Sequence, residues 1–453
     1  MDGKRSSDSD VTARGRAWAQ SVRVAIAVAV LGLASAGSVF AQPVPAAPPD
    51  APGQPEPPTV TAAAQPAVPA PVVVPPRPPR VQIHGFASEG AFASTANDYL
   101  GSAARGSLEL FEGGINFSTE VAERLRAGVQ LFARDLGALR DAAPRLDWAY
   151  LDYRWRPWLG LRAGVIRMPF GLYNEYVDID AARLPILLPE SVYPVRDRDV
   201  LLSHTGFSIY GSREIGGGGE LEYQAWLGAL TIEREALDVV GATLDSAQSK
   251  YVAGGQLFWH TPLDGLRVGA TVLRTSIDFR LTLARETVAA LIMAGYVAPS
   301  FDGKLVVSQR PDTLVVGSAE YARGDWLLAA EYSRWFKRQR TTLPALLPTF
   351  EEDGERFYAM ATTRLAPRLE TGGYYSVYHV DAGDRGGHDA RFAEPFHAFQ
   401  RDLAATLRFD VNDHWLWKLE GHFMDGTASL PQLANPDPAR YWGLFLLRTT
   451  VTF

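Results

Sequence analysis

The chain has 453 residues, no cysteine and a formal net charge of -7 at pH 7. The missing cysteine rules out a disulfide framework and thiolate chemistry, and the acidic balance argues against nucleic acid as a partner. The length suits one large barrel or two to three soluble domains, and the 21 Phe, 17 Tyr, 11 Trp and 41 Gly suit strands, aromatic girdles and tight turns.

Residues 1–41 read as an export signal. Arg14, Arg16 and Arg23 give a basic start, Val24–Gly37 is a small-apolar core, and Val39-Phe40-Ala41 offers small residues before a cut after Ala41. The competing reading is a membrane anchor, but the core is shorter than the ~20 apolar residues a spanning helix needs. Residues 42–80 are rich in Pro and Ala, with PVPAAPP, PEPP and VVVPPRPP. Proline fixes φ and removes backbone donors, so this segment is expected to be a semi-extended periplasmic linker.

From Val81 to Phe453 no stretch is apolar enough for a helical span, and segments of about ten residues alternate in polarity instead. In Trp415–Met424, Trp415, Trp417, Leu419 and Phe423 oppose Leu416, Lys418, Glu420, His422 and Met424. Leu403–Asp410 and Glu220–Ala229 repeat the pattern. Strands are expected to begin near Val81, Ser107, Arg126, Arg145, Gly160, Thr205, Glu220, Tyr251, Leu266, Thr313, Trp326, Arg356, Leu369, His397, Trp415 and Tyr441, about 16 in all. Connections after even strands are short and carry turn residues (Arg156–Leu159, Thr261–Gly265, Val411–His414). Those after odd strands are mostly long (Thr95–Gly106, Met168–His204, Thr231–Lys250, Phe279–Pro311, Arg338–Glu355). That alternation belongs to an all-β transmembrane antiparallel barrel with short periplasmic turns and long outer loops. Trp148, Trp155, Trp158, Trp259, Trp326, Trp415 and Trp442 fall near strand ends, where interfacial girdles sit.

The phase of the alternation selects candidate pore-lining charges: Glu112, Arg162, Glu222, Arg267, Glu331, Asp402, Arg408, Lys418 and Glu420. A charge turned to lipid at the midplane costs about 2–4 kcal/mol for Arg or Lys, so these side chains belong on the water side. For each, the alternative is a wall network that braces the barrel without touching solute. The longest connection, Met168–His204, carries Asp178, Asp180, Arg183, Glu190, Arg196, Asp197, Arg198 and Asp199 among prolines and aliphatics. Loops of that length are commonly functional, and this one is expected to fold inward and narrow the lumen with these charges at the constriction, the alternative being an exposed outer loop.

Enzyme motifs are missing: there is no G-x-S-x-G, H-E-x-x-H or P-loop, and the eight His lack ligand spacing. No enzymatic activity, metal or cofactor is expected.

GVIRMPFGLYNEYVDID (Gly164–Asp180) followed by LPILLPESVYPVRDRDVLLSHTGFSIYG (Leu184–Gly211) resembles the fifth-strand and third-loop region of general bacterial outer-membrane porins. ATLRFDVNDHWLWKLEGHF (Ala405–Phe423) and a last strand ending on Phe453 are similar to that family's hairpins and its terminal aromatic. The resemblance implies passive diffusion of small hydrophilic solutes or ions, a third loop folded into the lumen and a homotrimer. It also implies contact with outer-membrane lipid and recognition of Phe453 by the barrel-insertion machinery. The arginine cluster that general porins carry on one constriction wall has no residue-by-residue match, which leaves ion preference open. Two other readings remain: a barrel enzyme or receptor without an open pore, and a structural tether acting through the Pro-rich segment.

Overall fold

The computed structural model describes residues 81–100, 106–137, 142–195, 202–230, 242–344, 349–389, 391–431 and 434–453. The expected signal and linker (1–80) and four charges of the long loop, Arg196, Asp197, Arg198 and Asp199, lie outside the described residues.

Sixteen strands close into one antiparallel barrel in which each pairs with its chain neighbours and the last pairs with the first. They are β1 (Gln82–Ser94), β2 (Phe111–Ala122), β3 (Leu125–Asp135), β4 (Arg145–Arg156), β5 (Leu159–Arg167), β6 (Ser203–Glu214), β7 (Glu220–Ala229) and β8 (Ala242–His260). These are followed by β9 (Leu266–Leu283), β10 (Lys304–Arg323), β11 (Trp326–Thr341), β12 (Phe350–Ala366), β13 (Leu369–His379), β14 (Phe399–Asn412), β15 (Trp415–Gly426) and β16 (Tyr441–Thr452). A helix, α1 (Arg285–Met293), lies between β9 and β10. Closure leaves no sheet edge, so every strand has a ladder partner on both sides.

The wall is inverted relative to a soluble protein. On β14 to β16, Leu403, Leu407, Phe409, Leu419, Phe423, Phe445 and Leu447 are exposed on the outside, while Asp402, Thr406, Lys418, Glu420, His422 and Arg448 are buried inside. Lipid tolerates the first set, and the polar interior satisfies the second. Trp155, Trp158, Trp259, Trp326 and Trp415 are exposed near strand ends. Trp148 and Trp442 differ from the girdle expectation because they fall on the inward phase. Trp148 stacks on Tyr150 at 4.8 Å and Trp442 packs on Tyr99 at 5.9 Å.

The expected boundaries fail in one sector. β8, β10 and β12 begin at Ala242, Lys304 and Phe350 rather than near Tyr251, Thr313 and Arg356. Residues read as loop thus continue the ladders, as in Leu281↔Leu305 and Thr282↔Lys304. In these extensions the apolar residues turn inward: Phe279, Leu281, Leu283, Leu305 and Val307 pack with Leu291 of α1, Trp335 and the long loop in one buried cluster.

Candidate functional site

From Met168 to Val195 the connection from β5 to β6 runs inside the barrel. It enters at Gly171, whose φ of +59° lies in the left-handed region. A Cβ there would collide with the Tyr193 hydroxyl and the Glu331 carboxylate, so glycine is needed for both the turn and the close approach.

Two carboxylates on the wall then hold the loop. Glu331 on β11 accepts from the Leu172 N–H (2.9 Å), the Tyr358 hydroxyl (2.8 Å) and the hydroxyls of Tyr193 and Ser318. Glu420 on β15 accepts from the N–H groups of Ile186 (2.7 Å) and Leu187 (2.8 Å) and from the Thr406 hydroxyl (2.6 Å). His422 bridges behind it, with Nε2 3.1 Å from Glu420 and Nδ1 3.1 Å from Asp402. A carboxylate suits this task because it is acceptor-only and offers several lone pairs to converging donors.

The loop's own charges are also taken up. Asp178 pairs with Arg167 at 2.7 Å. Asp180 pairs with Lys418 at 2.9 Å, accepts the Thr450 hydroxyl at 2.7 Å and lies 3.9 Å from Arg448. Burial would raise the Asp180 pKa, but Lys418, then Arg448 and Arg183, outweigh it and hold the carboxyl well below the usual carboxylate range. Lys418 also donates to the carbonyls of Asp180 and Arg183, and Arg183 closes a turn by donating to the carbonyls of Pro185 and Ile186. Glu190 accepts from the Val195 N–H at 3.0 Å. Arg408 donates to the Ala181 carbonyl (2.7 Å) and pairs with Asp410 (2.8 Å). Asp178, Asp180, Arg183 and Glu190 are therefore buried anchors rather than charges open to the lumen.

The wall charges divide in the same way. Glu112, Glu331, Asp402, Lys418 and Glu420 face inward but are buried behind the loop, Glu112 in an ion pair with Arg448. Arg162, Glu222 and Arg267 face inward below the loop and stay wetter. Arg162 meets Asp152 at 2.9 Å, Glu222 meets His260 at 3.2 Å, and Arg267 meets Glu320 at 2.8 Å. The side chains of Glu222 and His260 are 57% and 41% exposed. Tyr210 also donates to Asp152, and Arg162 lies over its ring at 4.2 Å. Sequence reasoning missed the partners Asp152, His260 and Glu320, and the anchors Arg167 and Arg448. Their inward phase on the strands was the available signal. On the far side of the loop a narrow cavity of about 40 Å³ opens between Leu110, Glu112, Arg134, Ile186, Val195 and Arg448, room for a few waters.

A closed 16-stranded barrel, apolar outside and charged inside with a chain segment pinned across its lumen, defines a β-barrel built to stand in lipid. No protein-family model matches the chain, and no curated protein matches it by sequence. Solved structures do match its fold. An anion-selective porin from Comamonas acidovorans aligns with TM-score 0.53 and 10% identity over 83% of this chain and all of that one. OmpT of Vibrio cholerae aligns with TM-score 0.52 and 12% identity, covering 84% and 99% of the two chains. OmpF of Salmonella typhi, solved with daunomycin, aligns with TM-score 0.52 and 12% identity, covering 82% and 97%. At these identities the likeness is one of fold: this chain has a porin-like barrel.

Proposed function

We propose that this chain is an outer-membrane porin that lets small hydrophilic solutes or ions diffuse passively. The observation that carries this is the inward-pinned loop above inward-facing polar pairs that keep partial access to solvent, inside a barrel whose outer face is apolar. A pinned loop narrows a lumen of this size without sealing the hydrated side, and charges at a narrow, low-dielectric passage act strongly on passing ions. The charges that set ion preference are then Arg162, Glu222 and Arg267 with their partners. The buried loop charges fix the width.

In this reading the barrel sits in the bacterial outer membrane, the short turns and the Pro-rich segment 42–80 lie in the periplasm, and residues 1–41 direct export. Phe453 closes the β16 ladder through paired hydrogen bonds with Gly85 and stays exposed, which suits recognition by the barrel-insertion machinery. The outer face of β15, β16 and β1 carries a shallow apolar groove between Ala91, Ala93, Leu108, Leu419, Phe445 and Leu447. That groove supports assembly into a homotrimer.

The test is conductance of the purified barrel in a planar bilayer. Uniform steps that persist at low voltage are expected, and Glu222→Gln should move the reversal potential toward anions. A barrel that inserts but passes no current would overturn the proposal.

A further inference from the structure

The outside of the barrel is not uniform around its circumference. β8 to β12 run for 16–20 residues, whereas the other strands have 9–14. Their outer face carries an apolar band that ends at Val272, Val315, Tyr332 and Phe357, all exposed. At the level where the band ends, and above it, the outward positions turn basic: Arg274, Arg280, Lys304 and Arg340 are exposed. The acids of this face already have partners. Asp278 pairs with Lys250 at 2.6 Å, Asp353 with Arg334 at 3.7 Å, Glu351 with Arg338, and Glu355 with Arg385. Asp245 accepts the Thr282 hydroxyl, and Asp302, at the top of β10, accepts the Lys304 N–H. No carboxylate among the described residues pairs with Arg274, Arg280, Lys304 or Arg340.

The register fixes the shape of this surplus. Arg274 stands opposite Thr313 of β10, Arg280 opposite Val306, and Arg340 of β11 opposite Ser308. The cations therefore occupy three adjacent strands, neighbours about 4.8 Å apart, and climb from Arg274 to Arg280 over six residues. At ~3.3 Å per residue and a tilt near 40°, that is about 15 Å of height. A glycerophospholipid presents its phosphate at one level. A ladder this tall, starting where the lipid-facing band ends, fits a headgroup with anionic groups stacked outward from the bilayer.

We propose that the outer face of β9 to β11 is a binding surface for a phosphorylated glycolipid of the outer leaflet, with Arg274, Arg280, Lys304 and Arg340 reading its phosphates. Arginine suits the role because its planar fork meets a phosphate in two parallel hydrogen bonds. The proposal rests on the outer-membrane orientation given above, with the long loops outward.

The experiment uses the purified full-length barrel in neutral detergent and rough lipopolysaccharide that retains its core phosphates. Binding is read by native mass spectrometry and by lipid titration at two salt concentrations. The comparison probes are the same lipid after enzymatic dephosphorylation, phosphatidylglycerol, and inorganic phosphate. The expected result is that R274Q/R280Q/R340Q, like dephosphorylation, weakens binding at least tenfold, and that wild-type affinity falls with salt. Equal binding by phosphatidylglycerol would show that one phosphate level suffices, and competition by millimolar inorganic phosphate would show an unspecific anion patch. Either outcome overturns the proposal, as does wild-type affinity in the triple variant. The single variant R280E, expected to lose binding on its own, covers the case in which the triple variant does not fold. Because these side chains point away from the lumen, conductance should stay unchanged. Loss of lipid binding with intact conductance therefore concerns this surface, and missing conductance with intact lipid binding concerns the pore.

Discussion

Glu420→Ala tests the pinned loop most directly. Glu420 is 1% exposed, and the two N–H groups it accepts belong to Ile186 and Leu187, both buried. Alanine leaves those two donors without an acceptor in a dry site. Each orphaned buried donor costs about 1–3 kcal/mol, so the docked middle of the loop loses about 2–6 kcal/mol relative to an undocked loop whose N–H groups reach water. The other partners soften the loss little: the Thr406 hydroxyl can rotate, and His422 keeps Asp402. A cost of 2 kcal/mol is already about thirtyfold in the docking equilibrium. In single-channel recordings the variant should show larger or flickering conductance, and its heat-induced unfolding in detergent should come earlier. Glu420→Gln keeps one carbonyl acceptor and should fall between alanine and wild type. If both variants match wild type in conductance, open-channel noise and melting, the carboxylate does not hold the loop and the reasoning fails.

Asp178→Asn removes one of the carboxylates around buried Arg167 and leaves Asp147 and Glu175 beside it, which should cost about 1–3 kcal/mol in detergent melting while leaving the reversal potential unmoved. An altered reversal potential would mean that the solute path passes this pair. Gly171→Ala adds a Cβ where the Tyr193 hydroxyl and Glu331 already sit, at a φ unfavourable for alanine. A loss of more than about 1 kcal/mol is expected, and a neutral result would mean that the loop enters differently. Asp180 titrates below its ordinary range, so its docked ion pair contributes fully above the unfolded carboxylate pKa of about 3.9 and is lost as pH falls further. The stability that Lys418→Met removes in detergent melting should therefore stay constant from pH 7 to about 4.5 and shrink only in stronger acid. A loss that already shrinks near pH 6 would mean that Asp180 is not the partner of Lys418.

The barrel was legible where lipid and water meet across one strand. In Trp415–Met424 the two faces contact different media, so alternation reports the fold directly. Above the lipid band that rule inverts. On β9 and β10, Phe279, Leu281, Leu305 and Val307 face the interior core, and Arg280 and Lys304 face out. The period of two persists with opposite phase, and it passed for loop. The inward phase of Glu331 and Glu420 was readable, but their task was not. The donors they accept lie 159 and 234 residues away in the chain, and nothing local to a carboxylate tells whether it faces solute or a distant backbone. For the same reason Asp178 and Asp180 looked like open charges, since their compensating Arg167 and Lys418 sit on strands.

The seam between β1 and β16 carries a kinetic consequence. Every other ladder joins neighbours in the chain, but Ser88 and Thr450, whose hydroxyls meet at 2.8 Å, are 362 residues apart. The entropy of closing a chain grows only with the logarithm of its length, so relative to a ten-residue hairpin this junction costs about 3 kcal/mol more, roughly five doublings. That is modest for the finished barrel and decisive for the order of events. Until β16 arrives, β1 presents a bare edge of N–H and C=O groups, the kind that recruits foreign strands. Zippering should therefore proceed hairpin by hairpin with closure as the final step, and the half-built sheet is the species most exposed to aggregation. A chain cut short before Tyr441 would strand every molecule at that stage.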